Sequence, residues 1–102
     1  MIYVIATVEL KPDTRDAFLQ EFRQIVSQVL AEEGCLEYGP TIDVETHLAV
    51  QPPARVDAVT IVEKWHDMAC LEAHLVAPHM MSYRERVKPY VEKVTLQVLQ
   101  PV

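Results

Sequence analysis

Ala58-Val59-Thr60-Ile61-Val62-Glu63-Lys64-Trp65 is the stretch whose reading decides the fold. Its β-branched density is that of a strand, and its apolar residues fall on both faces of the pleat. The same holds at the start of the chain, where Ile2, Val4, Ala6, Val8 and Leu10 alternate with Tyr3, Ile5, Thr7 and Glu9. Two strands that are apolar on both faces belong at the centre of a sheet. Tyr3, Ile5, Val59, Ile61, Val62 and Trp65 then supply apolar groups to both faces of that centre.

Outward from these strands the pattern changes period. Lys11-Pro12-Asp13 breaks the first strand, and Asp13 or Thr14 can cap a helix. Phe18, Phe22, Ile25, Val26, Val29 and Leu30 form one apolar stripe along it, and Gly34 is its natural terminator. A second extended piece begins at Cys35–Tyr38, is interrupted at Gly39-Pro40 and resumes through Thr41–Glu45. Pro40 has no N–H for a ladder, so this strand is an edge or carries a bulge. Thr46 to Arg55, with Pro52-Pro53, is the loop at the tip of a long hairpin.

Beyond Trp65, Asp67 caps a short helix with Met68, Leu71 and Leu75 as its buried stripe. Pro78 stops it and opens another helix, lined by Met80 or Met81, Tyr83 or Arg84, and Val87, until Pro89. Val94, Leu96 and Val98 alternate with Lys93, Thr95 and Gln97 in a last strand closed by Pro101. The order is β-α-β-β-α-β with the second helix split. This predicts an α+β, ferredoxin-like, antiparallel sheet with helices on one face, in a single domain over residues 1–102. Helices cover only one side of such a sheet, so the apolar second face calls for a second copy packed sheet to sheet. A homodimer is expected.

With 15 acidic and 9 basic residues the formal charge is −6, and no basic face is available to neutralise phosphates. Nucleic-acid binding and docking on anionic lipid are excluded on that ground. No apolar run approaches a membrane span and no signal-type stretch opens the chain, so a cytoplasmic location is expected. Cys35 and Cys70 form no C-x-x-C or zinc-type spacing and read as small core residues, with a redox role as the alternative.

Gly34 and Gly39 are the only glycines, so phosphate loops, dinucleotide turns and nucleophile elbows are all missing. The chemistry-bearing residues are Trp65 at a strand end, His74 and His79 on the helices after it, Tyr83 beyond, and Tyr38 and Glu63 on neighbouring strands. His74 lies one position from the Leu71–Leu75 stripe, which aims its ring at the helix–sheet seam. There it either accepts a proton near neutral pH or only fills the seam. His74 and His79 are five apart across a break, and no third ligand is evident, so no metal site is expected. Trp65 is core or pocket wall; Glu63, on its strand face, is a buried carboxylate, an edge residue or half of an ion pair. Met68, Met80 and Met81 are core or an adaptable pocket wall. His47 is expected in solvent.

Glu33-Gly34-Cys35-x-x-Tyr38, Glu63-x-Trp65, Leu71-x-x-His74 and Pro78-His79-Met80, in this order and spacing, resemble the antibiotic biosynthesis monooxygenase family. The run Leu71-Glu72-Ala73-His74-Leu75 and the ending Leu99-Gln100-Pro101 are most similar to its bacterial quinol monooxygenases. The resemblance implies a dimeric α+β barrel whose C-terminal strand reaches the partner, with an apolar pocket between each sheet and its helices. It implies oxygenation of a quinol or related phenolic molecule by molecular oxygen, with no cofactor and no metal. It puts Trp65 and His74 in the pocket, His74 as proton acceptor and Trp65 as shaper. Tyr38, Glu63, His79, Tyr83 and Met68 are the expected substrate contacts.

Two other readings remain open at this level. An isomerase of a small phosphorylated signal would want a cationic cradle, for which only Arg84 and Arg86 are near. A non-catalytic dimeric ligand-binding or stress-response domain would differ mainly in whether the pocket can reach His74. A haem-degrading relative would carry a ligating histidine further along, and none follows His79.

Overall fold

The computed structural model describes residues 1–102, in the order β1 (Ile2–Leu10), α1 (Arg15–Leu30), β2 (Cys35–Thr41), β3 (Ala58–Trp65), α2 (Met68–Leu75), α3 (Pro78–Val87) and β4 (Val91–Leu99). The strands form one antiparallel sheet ordered β2-β3-β1-β4, so the two strands with apolar residues on both faces are indeed central. Val4, Ala6 and Val8 of β1 stand opposite Glu63, Ile61 and Val59 of β3, and all six are buried on the helix side. Tyr3, Ile5 and Val62 turn to the other face, which no element of the chain covers.

The local rules hold with some corrections. Asp67 caps α2, its carboxylate accepting from Cys70 N at 2.9 Å. Pro78 takes the first turn of α3, and Ala77 before it is extended, as the proline ring requires. Thr14 stands at the start of α1 but its hydroxyl donates to Lys11 O at 2.7 Å instead of capping. Gly34 has φ 77°, yet α1 ends earlier, at Leu30, so the glycine shapes the turn into β2. The β2 strand runs unbroken through Gly39-Pro40 and stops at Thr41, because an edge strand leaves one side unpaired and has room for proline. Its irregularity lies at Cys35/Glu37.

On α1 the buried residues are Phe18, Leu19, Phe22, Ile25 and Val29. Leu19 replaces Leu30 of the expected stripe, since the last turn runs past the edge of the core and leaves Leu30 exposed. Phe18 and Phe22 stack at 5.9 Å, and Phe22 stacks on Tyr38 at 5.5 Å and meets Tyr83 edge-on at 5.8 Å. These rings tie α1 to β2 and α3. The helix layer is offset: α1 packs on β2 and α3, α2 on β3, and α3 rests chiefly on α1. The sheet under α3 is therefore left partly open towards β4.

Candidate active site

That offset creates a cavity of about 600 Å³ between α3 and the sheet. Its floor is Ala6, Val8, Ile61, Val94 and Leu96; Met80, Tyr83 and Val87 of α3 form the roof. Most of the lining is hydrophobic. Four polar side chains line it from two strands and two helices: Tyr38, Glu63, His74 and Tyr83. Arg84, Glu85 and Lys88 border it on the solvent side of α3.

Each of the four has a side-chain atom left for a ligand. Every fully enclosed side-chain nitrogen or oxygen has a hydrogen-bond partner. The Tyr38 and Tyr83 hydroxyls, His74 Nε2 and one Glu63 oxygen make no such bond within the chain, so none of them is sealed, and all four residues line the cavity. Glu63 Oε1 accepts the Trp65 indole N–H at 2.9 Å. Burial pushes the Glu63 carboxyl up to about 7; the indole bond pulls it down and the Glu32 carboxylate adds to the rise. Burial likewise raises both phenols above the ordinary tyrosine range. They keep their hydrogens and can donate throughout the neutral range.

His74 is held between rings, 4.7 Å from Trp65 and 5.4 Å from Tyr38 by centroid. Its Nδ1 lies 2.9 Å from Glu32 Oε2, and His79 Nε2 lies 2.7 Å from the same oxygen. Burial lowers the affinity of His74 for a proton, and the Glu32 carboxylate offsets part of that loss. The ring is thus neutral at neutral pH and free to accept.

Of the residues singled out from sequence, the fold brings Tyr38, Glu63, His74 and Tyr83 together at the cavity. Three expected contacts lie elsewhere. Trp65 is sealed behind Glu63 and His74 and forms no part of the cavity wall. His79 does not line the cavity; its ring contacts Glu32. Met68 opens α2 on the outer side and is 44% exposed, because the first turn of that helix overhangs the sheet. Glu63 is buried and hydrogen-bonded, neither edge-exposed nor ion-paired, and Leu75 is only half buried while His74 takes the buried place. Sequence reasoning passed over Glu32. It sits beside Glu33 in the turn before Gly34, and nothing local distinguishes one from the other.

No group of three or more histidine, cysteine, aspartate or glutamate residues has the arrangement to hold a metal ion. The family model described as antibiotic biosynthesis monooxygenase matches residues 1–86. The chain is 41% identical over 103 aligned residues to a protein of Escherichia coli K12 named "Probable quinol monooxygenase YgiN", covering 99% of this chain and 98% of that one. Among solved structures, PA3566 from Pseudomonas aeruginosa is similar with a TM-score of 0.81 at 26% identity, covering 99% of this chain and 93% of that one. Rv0793 from Mycobacterium tuberculosis shares the fold with a TM-score of 0.77 at 24% identity, covering 99% and 94%.

Proposed function

The chain belongs to the antibiotic biosynthesis monooxygenase family, and from that premise we propose that it oxygenates a quinol or related phenolic molecule with molecular oxygen, without a cofactor. The observation that carries this reading is an apolar cavity whose interior polar atoms are one free imidazole nitrogen, two phenols and one carboxyl. The similarity to the E. coli protein named "Probable quinol monooxygenase YgiN" points the same way. A deprotonated quinol is electron-rich enough to reduce oxygen itself, so the protein has only to remove a proton, hold the oxyanion and exclude water.

In this mechanism His74 Nε2 takes a phenolic proton. The Tyr38 and Tyr83 hydroxyls donate to the substrate oxygens as negative charge develops. Glu63 shares protons at the far side of the same space, with Trp65 fixing its orientation. One oxygen atom then bonds to a ring carbon in place of hydrogen and the other leaves as water. The ring supplies all four electrons in passing from quinol to hydroxyquinone.

The protein works as a homodimer of single-domain chains in the cytoplasm. Tyr3, Ile5 and Val62 form an apolar centre on the uncovered sheet face, and no helix is long and apolar enough to cross a membrane. Light scattering should give twice the 11.6 kDa chain mass, and a monomer at micromolar concentration would overturn the pairing.

Oxygen uptake by purified protein with a reduced naphthoquinol, against its uncatalysed autoxidation, tests the reaction. His74→Ala should lower kcat by about 10²–10⁴-fold, the usual worth of a positioned proton acceptor. Uptake that survives the substitution removes His74 from the role. No uptake across several quinols overturns the oxygenase reading in favour of a ligand-binding domain.

A further inference from the structure

A carboxylate offers only lone pairs, so a ring nitrogen in hydrogen-bond contact with it must carry the hydrogen. Glu32 faces Nδ1 of His74 at 2.9 Å and Nε2 of His79 at 2.7 Å, with its side chain only 14% exposed. The His74 hydrogen is thereby drawn to Nδ1, away from the cavity, and the lone pair is left on Nε2. We propose that Glu32 is the positioning residue of this site, fixing His74 in the tautomer that can accept a substrate proton, and that His79 holds Glu32 in place. The assignment rests on the function proposed above and deepens it.

The turn that carries Glu32 is built for the purpose. Glu32 N donates to Val29 O at 2.9 Å, Cys35 N donates to Glu32 O at 3.2 Å, and Gly34 O accepts from His66 N at 2.8 Å. Gly34 reverses the chain at φ 77°, and a Cβ there would run into Cys70 of α2. The turn is therefore pressed against the start of α2, which sets the distance from Glu32 to a histidine two turns along that helix. Once His74 is protonated, the same carboxylate stabilises the imidazolium. The other groups around that ring are His79 and Arg84 of α3, which oppose its protonation, and Tyr38, Glu63 and Tyr83 along the cavity wall. Neither Glu32 nor His79 lines the cavity; Glu32 acts through His74, and His79 acts through Glu32. A carboxylate that orients a functional histidine through its other ring nitrogen is worth about 10–100-fold at metal sites, and a similar effect is expected here.

The test is ¹⁵N NMR of the histidine rings, with the His74 signals identified by their loss in His74→Gln. In the wild-type protein His74 should carry its hydrogen on Nδ1. In Glu32→Ala the hydrogen should redistribute towards Nε2, the form preferred by free imidazole. Glu32→Gln keeps the shape and removes the charge, so the protein stays folded and the His74 titration midpoint should move to lower pH. With a quinol substrate, Glu32→Ala should lower kcat by about 10–100-fold while KM changes by less than about threefold. An Nε2–H tautomer in the wild type, or a midpoint unmoved in Glu32→Gln, overturns the assignment. Failure of the oxygenase reading would look different: no uptake by the wild type, with the Nδ1–H tautomer intact.

Discussion

Val4, Ala6 and Val8 of β1 and Val98, Leu96 and Val94 of β4 are direct cross-strand partners on one face of one sheet. The first three are buried, whereas the second three are 40%, 42% and 54% exposed. Residue type and alternation are the same, so the difference lies in what stands above them. The helix layer is shifted towards β2, with α3 resting on α1, and its cover runs out between β1 and β4. The cavity sits at that boundary. One end of the sheet is a packed core and the other is a floor left open for a ligand and a partner.

The sharpest way to break this contrast is on the packed side. Trp65→Ala empties a fully buried site and removes the only donor to Glu63, and should cost about 3–5 kcal/mol in denaturant unfolding. A loss near 1 kcal/mol would mean that this end is not closely packed. Glu63 tests the boundary itself. Its carboxyl is raised from 4.5 to about 7, so between those values the folded chain keeps a proton that the unfolded chain has released. Stability should therefore fall as pH rises through that window, by about 3 kcal/mol, and Glu63→Gln should flatten the fall. His74 works in the opposite sense. Its lowered proton affinity costs stability as pH drops through the ordinary histidine range, and His74→Gln should relieve that loss.

Gly34→Ala should cost about 1–3 kcal/mol, from the left-handed backbone and the contact with Cys70, and it should displace Glu32 as well. The smallest effect belongs to the open side. Leu96→Ala should change the stability of an isolated chain by less than about 0.5 kcal/mol. If a partner covers β4, Tm of the wild-type protein will depend on protein concentration and the same substitution will instead cost about 2–5 kcal/mol. Comparing Leu96→Ala with Val59→Ala across a dilution series separates the two cases.

Much of the fold was legible because its signals are local. The period-2 runs at Ile2–Leu10 and Ala58–Trp65, the cap at Asp67 and the proline at position 78 each act over a few residues. The expected break at Gly39-Pro40 did not occur, since a proline tells where a hydrogen bond is missing but not which neighbour is absent. Of the site, His74 could be placed by its offset from Leu71 and Leu75, and Glu63 by its parity with Trp65. Met68, on the same helical stripe, proved exposed, because a stripe does not say how far the sheet extends beneath it.

By itself, the sequence determined the elements, their order and the parity that puts Glu63 and Trp65 on one strand face. Those are properties of backbone geometry repeated every two or 3.6 residues. Only the tertiary structure decided that α3 stands off the sheet and that Trp65 lies behind the cavity. It alone brings Glu32, from a turn 42 residues before His74, to that imidazole. Contacts between distant segments depend on how layers are offset, and no local period encodes an offset.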